Sequence, residues 1–107
     1  MAWFALSLAV VTEILWALSL KWASSLGNWQ AAAVPIALSF VNMGLLALAM
    51  RGLPAGMTYA LWTGAGTVGG VLGGALFFGD KVSLPQLFFI ALIIIGSVGT
   101  KFFSSQA

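Results

Sequence analysis

Only two side-chain carboxylates occur in this chain, Glu13 and Asp80, and one of them sits midway along an apolar run. A charged group at the centre of a membrane helix costs several kcal/mol on insertion scales, about 2.5–3.5 for comparable residues, so it faces a partner, a cavity or a permeating ion. No base in its own helix lies close enough to neutralise it. Lys21 is eight residues further on, which is about 12 Å along a helix axis at 1.5 Å per residue. Glu13 must therefore meet something that is not covalently near: another subunit, a proton or a cation.

Aromatic residues with polar tips recur beside it. Glu13 and Trp16 are three residues apart and share a helix face with Ala17 and Leu20. An indole N–H can donate to a carboxylate, and its ring can stack on a flat cation. Tyr59 and Trp62 repeat the three-residue spacing, offering two further donors and flat walls. Asn42, with Ser39 one turn earlier, supplies the strongest polarity of its segment, as an interhelical adhesive or a substrate contact. With Thr63, these residues make the expected lining of a small cation site around Glu13. Trp3, Trp22 and Trp29 lie at segment ends, where an aromatic belt is expected.

The elements that must position these groups are membrane spans. Of the 107 residues, 62% are hydrophobic and 6% charged, too much apolar surface for a soluble domain of this size. Spans need about 20 apolar residues, and four nearly exhaust the sequence, at about 3–21, 30–50, 54–78 and 85–103. The expected fold is all-α, a single transmembrane domain over residues 1–107. Met1-Ala2-Trp3 lacks the basic start of a cleaved signal peptide, so the first segment reads as a retained span. The absence of Cys and His removes thiolate sites, the usual metal ligands and the usual general base, which argues against an enzyme and against a metal or other cofactor. No nucleic-acid partner is expected.

The four bases, Lys21, Arg51, Lys81 and Lys101, mark successive span ends, two on each side of the membrane. That leaves almost no positive-inside bias and permits insertion in both orientations, hence an antiparallel dimer, with itself or with a related chain. Such a pair is an inverted repeat with a site near the midplane. Two Glu13 side chains approaching one another would repel, which favours proton uptake and makes the pair a proton carrier as well as a cation site. The third span carries Gly64, Gly66, Gly69, Gly70, Gly73 and Gly74. The interval Gly66-xxx-Gly70-xxx-Gly74 suits close helix approach, and Gly64-Ala65-Gly66 is a candidate hinge. Gly96 and Gly99 make the fourth span a candidate dimerisation helix.

Two strings carry a specific resemblance over essentially the whole chain. Glu13 is followed by W-A-x-x-L-K at Trp16–Lys21, and L-P-x-G-x-x-Y-A-x-W-T-G-x-G runs from Leu53 to Gly66. The chain resembles the small multidrug resistance family, and the Trp after the glutamate and the W-T-G ending resemble its guanidinium-exporter subtype. The resemblance implies four-helix subunits acting as antiparallel dimers in the bacterial inner membrane, exporting cations against protons. It implies that Glu13 binds cation and proton in alternation, with Trp16, Tyr59 and Trp62 lining the site. A planar guanidinium matches a carboxylate fork and aromatic walls. Asn42 departs from the small hydroxyl residue usual there, which suggests a substituted guanidine such as guanylurea. The rival readings are a promiscuous exporter of quaternary ammonium or lipophilic drugs, a small ion channel and a non-transporting oligomer.

Overall fold

A computed structural model describes residues 1–104. It contains α1 (Ala2–Leu26), a short 3-10 turn (Trp29–Ala32), α2 (Ala33–Met50), α3 (Ala55–Phe78) and α4 (Leu84–Phe102). Counting the 3-10 turn with α2, four helical segments are long and apolar enough to cross a membrane, and no strand occurs among the described residues.

Local chemistry explains where each helix starts and stops. The first helix runs five residues beyond the expected end of its span. Its polar tail bonds to its own backbone, Ser25 Oγ donating to the Trp22 carbonyl at 2.7 Å, so helix continues until Gly27 turns left-handed at φ 71°. Asn28 then caps the 3-10 turn by accepting from the Ala31 amide. Pro35 sits in the first turn of α2, where its missing N–H is least costly. Ser83 accepts from the Gln86 amide at the start of α4, with Pro85 in the first turn and Lys101 in the last.

The molecule is a slab, 46 × 34 × 16 Å. Helix α1 is central and packs on both α2 and α3, whereas the α4 backbone packs on α3 and reaches α1 through Lys101, whose ammonium lies 5.6 Å from the Trp3 ring centre. The buried apolar cluster lies at one end, where Ala5, Leu6, Ala49, Leu53 and Met57 bring the start of α1, the end of α2 and the start of α3 together. Thr58 is fully buried there and returns its hydroxyl to the Pro54 carbonyl at 2.6 Å. No residue of α4 is buried. Its Phe88, Phe89 and Ile95 face outward, as Phe40 and Leu76 do elsewhere, an outer surface suited to lipid rather than water.

The glycines of α3 act mainly as clearance, and α3 stays helical through Gly64-Ala65-Gly66, with no break at the candidate hinge. The close-approach row is Gly66, Gly69 and Gly73, where an added methyl would collide with Glu13, Ile14 and Leu18 of α1. It is not the expected Gly66, Gly70, Gly74 row. Gly70 faces open space, and Gly74 makes room for Asp80. Gly64 meets Ser97 of α4 instead, and that serine also donates to the Ala60 carbonyl at 3.2 Å. Gly96 and Gly99 have nothing of their own chain within 4 Å of where a Cβ would stand.

Candidate functional site

Glu13 stands where α1, α2 and α3 meet. Asn42 of α2 is 4% exposed and donates from Nδ2 to Glu13 Oε1 at 2.7 Å. Trp62 of α3 donates from Nε1 to Asn42 Oδ1 at 3.2 Å. The amide orientation is dictated by Trp62, because an indole N–H can only donate and so must meet the amide oxygen. One polar chain thus links three helices. It satisfies the one donor of Trp62 and leaves one N–H of Asn42 without a partner among the described residues. Gly66 completes the niche: a methyl there would lie 2.6 Å from Glu13 Cγ, closer than real Cβ contacts come, so Glu13 can occupy this place only beside glycine.

A groove of about 380 Å³ leads from Glu13 along α1 and α3 towards the α3–α4 loop, lined by Ala17, Lys21, Thr67, Gly70, Asp80 and Gln86 among others. It lies on the side of Glu13 away from the packed end formed by Leu6, Leu53 and Met57. At its far end Lys21 and Asp80 form an ion pair, the only one among the described residues. The Lys21 ammonium also lies 5.6 Å from the Phe78 ring centre.

The expected lining residues divide. Asn42 and Trp62 join Glu13, but through a relay: the indole reaches the amide and not the carboxylate. Trp16 goes elsewhere. It lines a second groove between α1 and α2 with Ser39, Phe40 and Pro35, and no hydrogen bond joins it to Glu13 among the described residues. The expected face of Glu13, Trp16, Ala17 and Leu20 is split for a geometric reason. At about 100° per residue, position i+3 lies about 60° to one side of Glu13 and i+4 about 40° to the other, so Trp16 and Leu20 enter one groove while Ala17 and Lys21 enter the other.

Tyr59 is 55% exposed and meets Trp62 with ring centres 5.4 Å apart and planes tilted by 47°. It supplies a wall beside the Trp62 indole rather than a donor to Glu13. Thr63 is exposed, and its carbonyl accepts from Thr67 Oγ1 at 2.7 Å. Lys21 and Asp80 were outside the expected lining, Lys21 having been read only as the end of a span. Spacing carries only a weak signal for Lys21, because eight residues are about 2.2 turns and place it about 80° from Glu13, on the Ala17 side.

Chemically, the arrangement can hold a cation against a carboxylate that is oriented by a neutral donor and approached through a groove. It contains no grouping of His, Cys, Asp and Glu that could bind a metal among the described residues. The family model described as "Small Multidrug Resistance protein" matches residues 1–93. Three relatives, each named guanidinium exporter, are similar over 101 residues, or 94% of this chain. The protein from Proteus vulgaris is 39% identical with 97% of its length covered, and those from Citrobacter freundii and Salmonella typhimurium are each 37% identical with 96% covered. With the family model spanning most of its length and these relatives nearly all of it, the four-helix chain that surrounds Glu13 belongs to the small multidrug resistance family.

Proposed function

We propose that this protein is a multi-pass transporter of the bacterial inner membrane that exports guanidinium or small substituted guanidinyl cations in exchange for protons, and that it acts by transport rather than by catalysis. The observation that carries the reading is Glu13: a mid-span carboxylate, held by Asn42 at 2.7 Å, at the head of an open groove. The names of the relatives support guanidinium as the substrate class. Coupling follows from competition, because one carboxylate cannot hold a proton and a cation at once. The free N–H of Asn42 favours a guanidinyl cation that brings its own acceptor, such as guanylurea.

Alternating access draws support from the asymmetry of the subunit, packed at the Leu6–Leu53–Met57 end and open towards Lys21. A slab 16 Å thick is little more than one helix diameter deep, so a second, antiparallel copy is needed to close the groove. In that dimer Gly96 and Gly99 of α4 supply close packing, and Tyr59, Trp16, Ser39 and Thr63 are available to the shared cavity. Two Glu13 carboxylates then serve as the substrate- and proton-binding pair.

The test is electrical current from purified protein in liposomes on a solid-supported membrane, perfused with guanidinium, guanylurea and tetrapropylammonium. Currents confined to the guanidinyl cations and lost in Glu13→Gln are expected. Comparable tetrapropylammonium currents would replace this reading with a promiscuous exporter, and currents that survive in Glu13→Gln would remove Glu13 from the mechanism.

A further inference from the structure

Both side-chain carboxylates of the chain open into the same groove, Glu13 at its head and Asp80 at its far end. Asp80 is brought there by a specific local fold. Gly79 turns left-handed at φ 69° and ends α3, and the Asp80 amide then donates back to the Gly74 carbonyl at 3.1 Å. A methyl at Gly74 would lie 2.5 Å from Asp80 Oδ2, so glycine there leaves space for the carboxylate. The same groove also receives two of the four bases of the chain, Lys21 and Lys81. A cation that approaches Glu13 along this groove passes both of them. Lys21 and Asp80 are half exposed, at 50% and 42%, and an ion pair so placed adds little to stability, about 0–1 kcal/mol. Its position in the groove asks for another account.

The geometry points to Asp80 as a residue that sets apparent substrate affinity by masking the charge of Lys21 on the approach to Glu13. This inference rests on the reading of Glu13 as the cation site. Paired with Asp80, Lys21 presents almost no net charge to a guanidinyl cation, and the groove stays passable although Lys81 remains. Unpaired, Lys21 would place a full positive charge about 12 Å from Glu13 along α1. At effective dielectric constants between about 20 and 80, a unit charge at that distance changes cation occupancy by about two- to tenfold. Asp80 is thereby a specificity-determining residue for a cationic substrate, without touching the bound cation.

The sign of the effect separates masking from a mechanical tether between α1 and the α3–α4 loop. Removing either partner breaks a tether equally, whereas masking predicts opposite consequences. The experiment measures guanidinium concentration dependence by solid-supported membrane currents for native protein, Asp80→Asn, Lys21→Gln, the double variant and Glu13→Gln, each at low salt and in about 1 M potassium chloride, where the screening length falls to about 3 Å.

Expected at low salt are a KM raised about two- to tenfold in Asp80→Asn and lowered in Lys21→Gln, a double variant near the native value, and maximal currents that stay close to native. These differences should collapse at high salt. A KM that moves in the same direction in both single variants, or a double variant as altered as either single one, would overturn the inference and make the pair a tether. A fall in maximal current without a change in KM would do the same. Glu13→Gln reads the underlying assignment independently: if it keeps native current, the cation-site reading fails, whereas its silence beside same-sign single variants defeats only the masking role.

Discussion

Replacing Asn42 by serine tests how the site chooses among guanidinyl cations. In the native protein the amide oxygen takes the Trp62 N–H at 3.2 Å and one amide hydrogen goes to Glu13 at 2.7 Å. The second hydrogen has no partner among the described residues, and the prediction is that a substrate bound at Glu13 brings an acceptor to it. A serine hydroxyl has one proton in place of two, so donation to Glu13 leaves nothing for the carbonyl of guanylurea. Guanidinium itself carries no acceptor and loses nothing by this route. The difference between the two substrates is therefore one hydrogen bond, about 0.5–1.5 kcal/mol net. That corresponds to a guanylurea-to-guanidinium ratio of apparent affinities reduced by about two- to tenfold. Measuring both KM values in the same proteoliposomes cancels any change in the amount of folded protein. A ratio that does not move in Asn42→Ser would refute the reasoning, because it would mean that the spare amide hydrogen never meets the substrate.

Gly66→Ala should cost about 1–3 kcal/mol by overpacking against Glu13 and reduce guanidinium current at least about tenfold, while Gly70→Ala, which meets nothing within 4 Å, should hold both thermal stability in detergent and current close to native. Trp62→Phe strands the Asn42 carbonyl, and Asn42→Ala strands the indole N–H. Combined, they should cost about 1 kcal/mol less than the sum of the two in chemical denaturation, with strict additivity arguing against the relay. A Cβ at Gly96 or Gly99 meets nothing of its own subunit within 4 Å, so for Gly96→Leu and Gly99→Leu a native helical spectrum with loss of dimer on crosslinking and loss of current is expected. A fully cross-linkable and active protein would move the dimer contact away from this face.

Much of the scaffold was legible because four long apolar runs separated by Gly, Pro, Ser and Asn leave few alternatives to four membrane helices. The end of α1 was misplaced because hydropathy follows side chains, whereas Ser25 sustains the helix by bonding its own backbone. Glu13 was legible from its cost alone. Its partner was not: Asn42 stood out as a polar residue in an apolar span, but nothing along the chain says that it lies between Glu13 and Trp62. Trp16 shows the converse, since nearness along a helix suggested a contact that the 60° offset takes away. The pairing of Lys21 with Asp80 joins residues 59 apart in sequence, beyond the reach of any periodicity.

The niche around Glu13 is made on one side by atoms and on the other by their absence. Asn42 and Trp62 are contributions that can be exchanged for other side chains, each exchange altering what the carboxylate offers a ligand. Gly66 offers nothing to exchange, because any larger residue evicts the carboxylate itself. Substrate preference can therefore drift by single steps through α2 and the first half of α3 while the anchoring position stays locked. A transporter built this way has a short list of doors through which new specificity can enter, and Asn42, held between Glu13 and Trp62, is one of them.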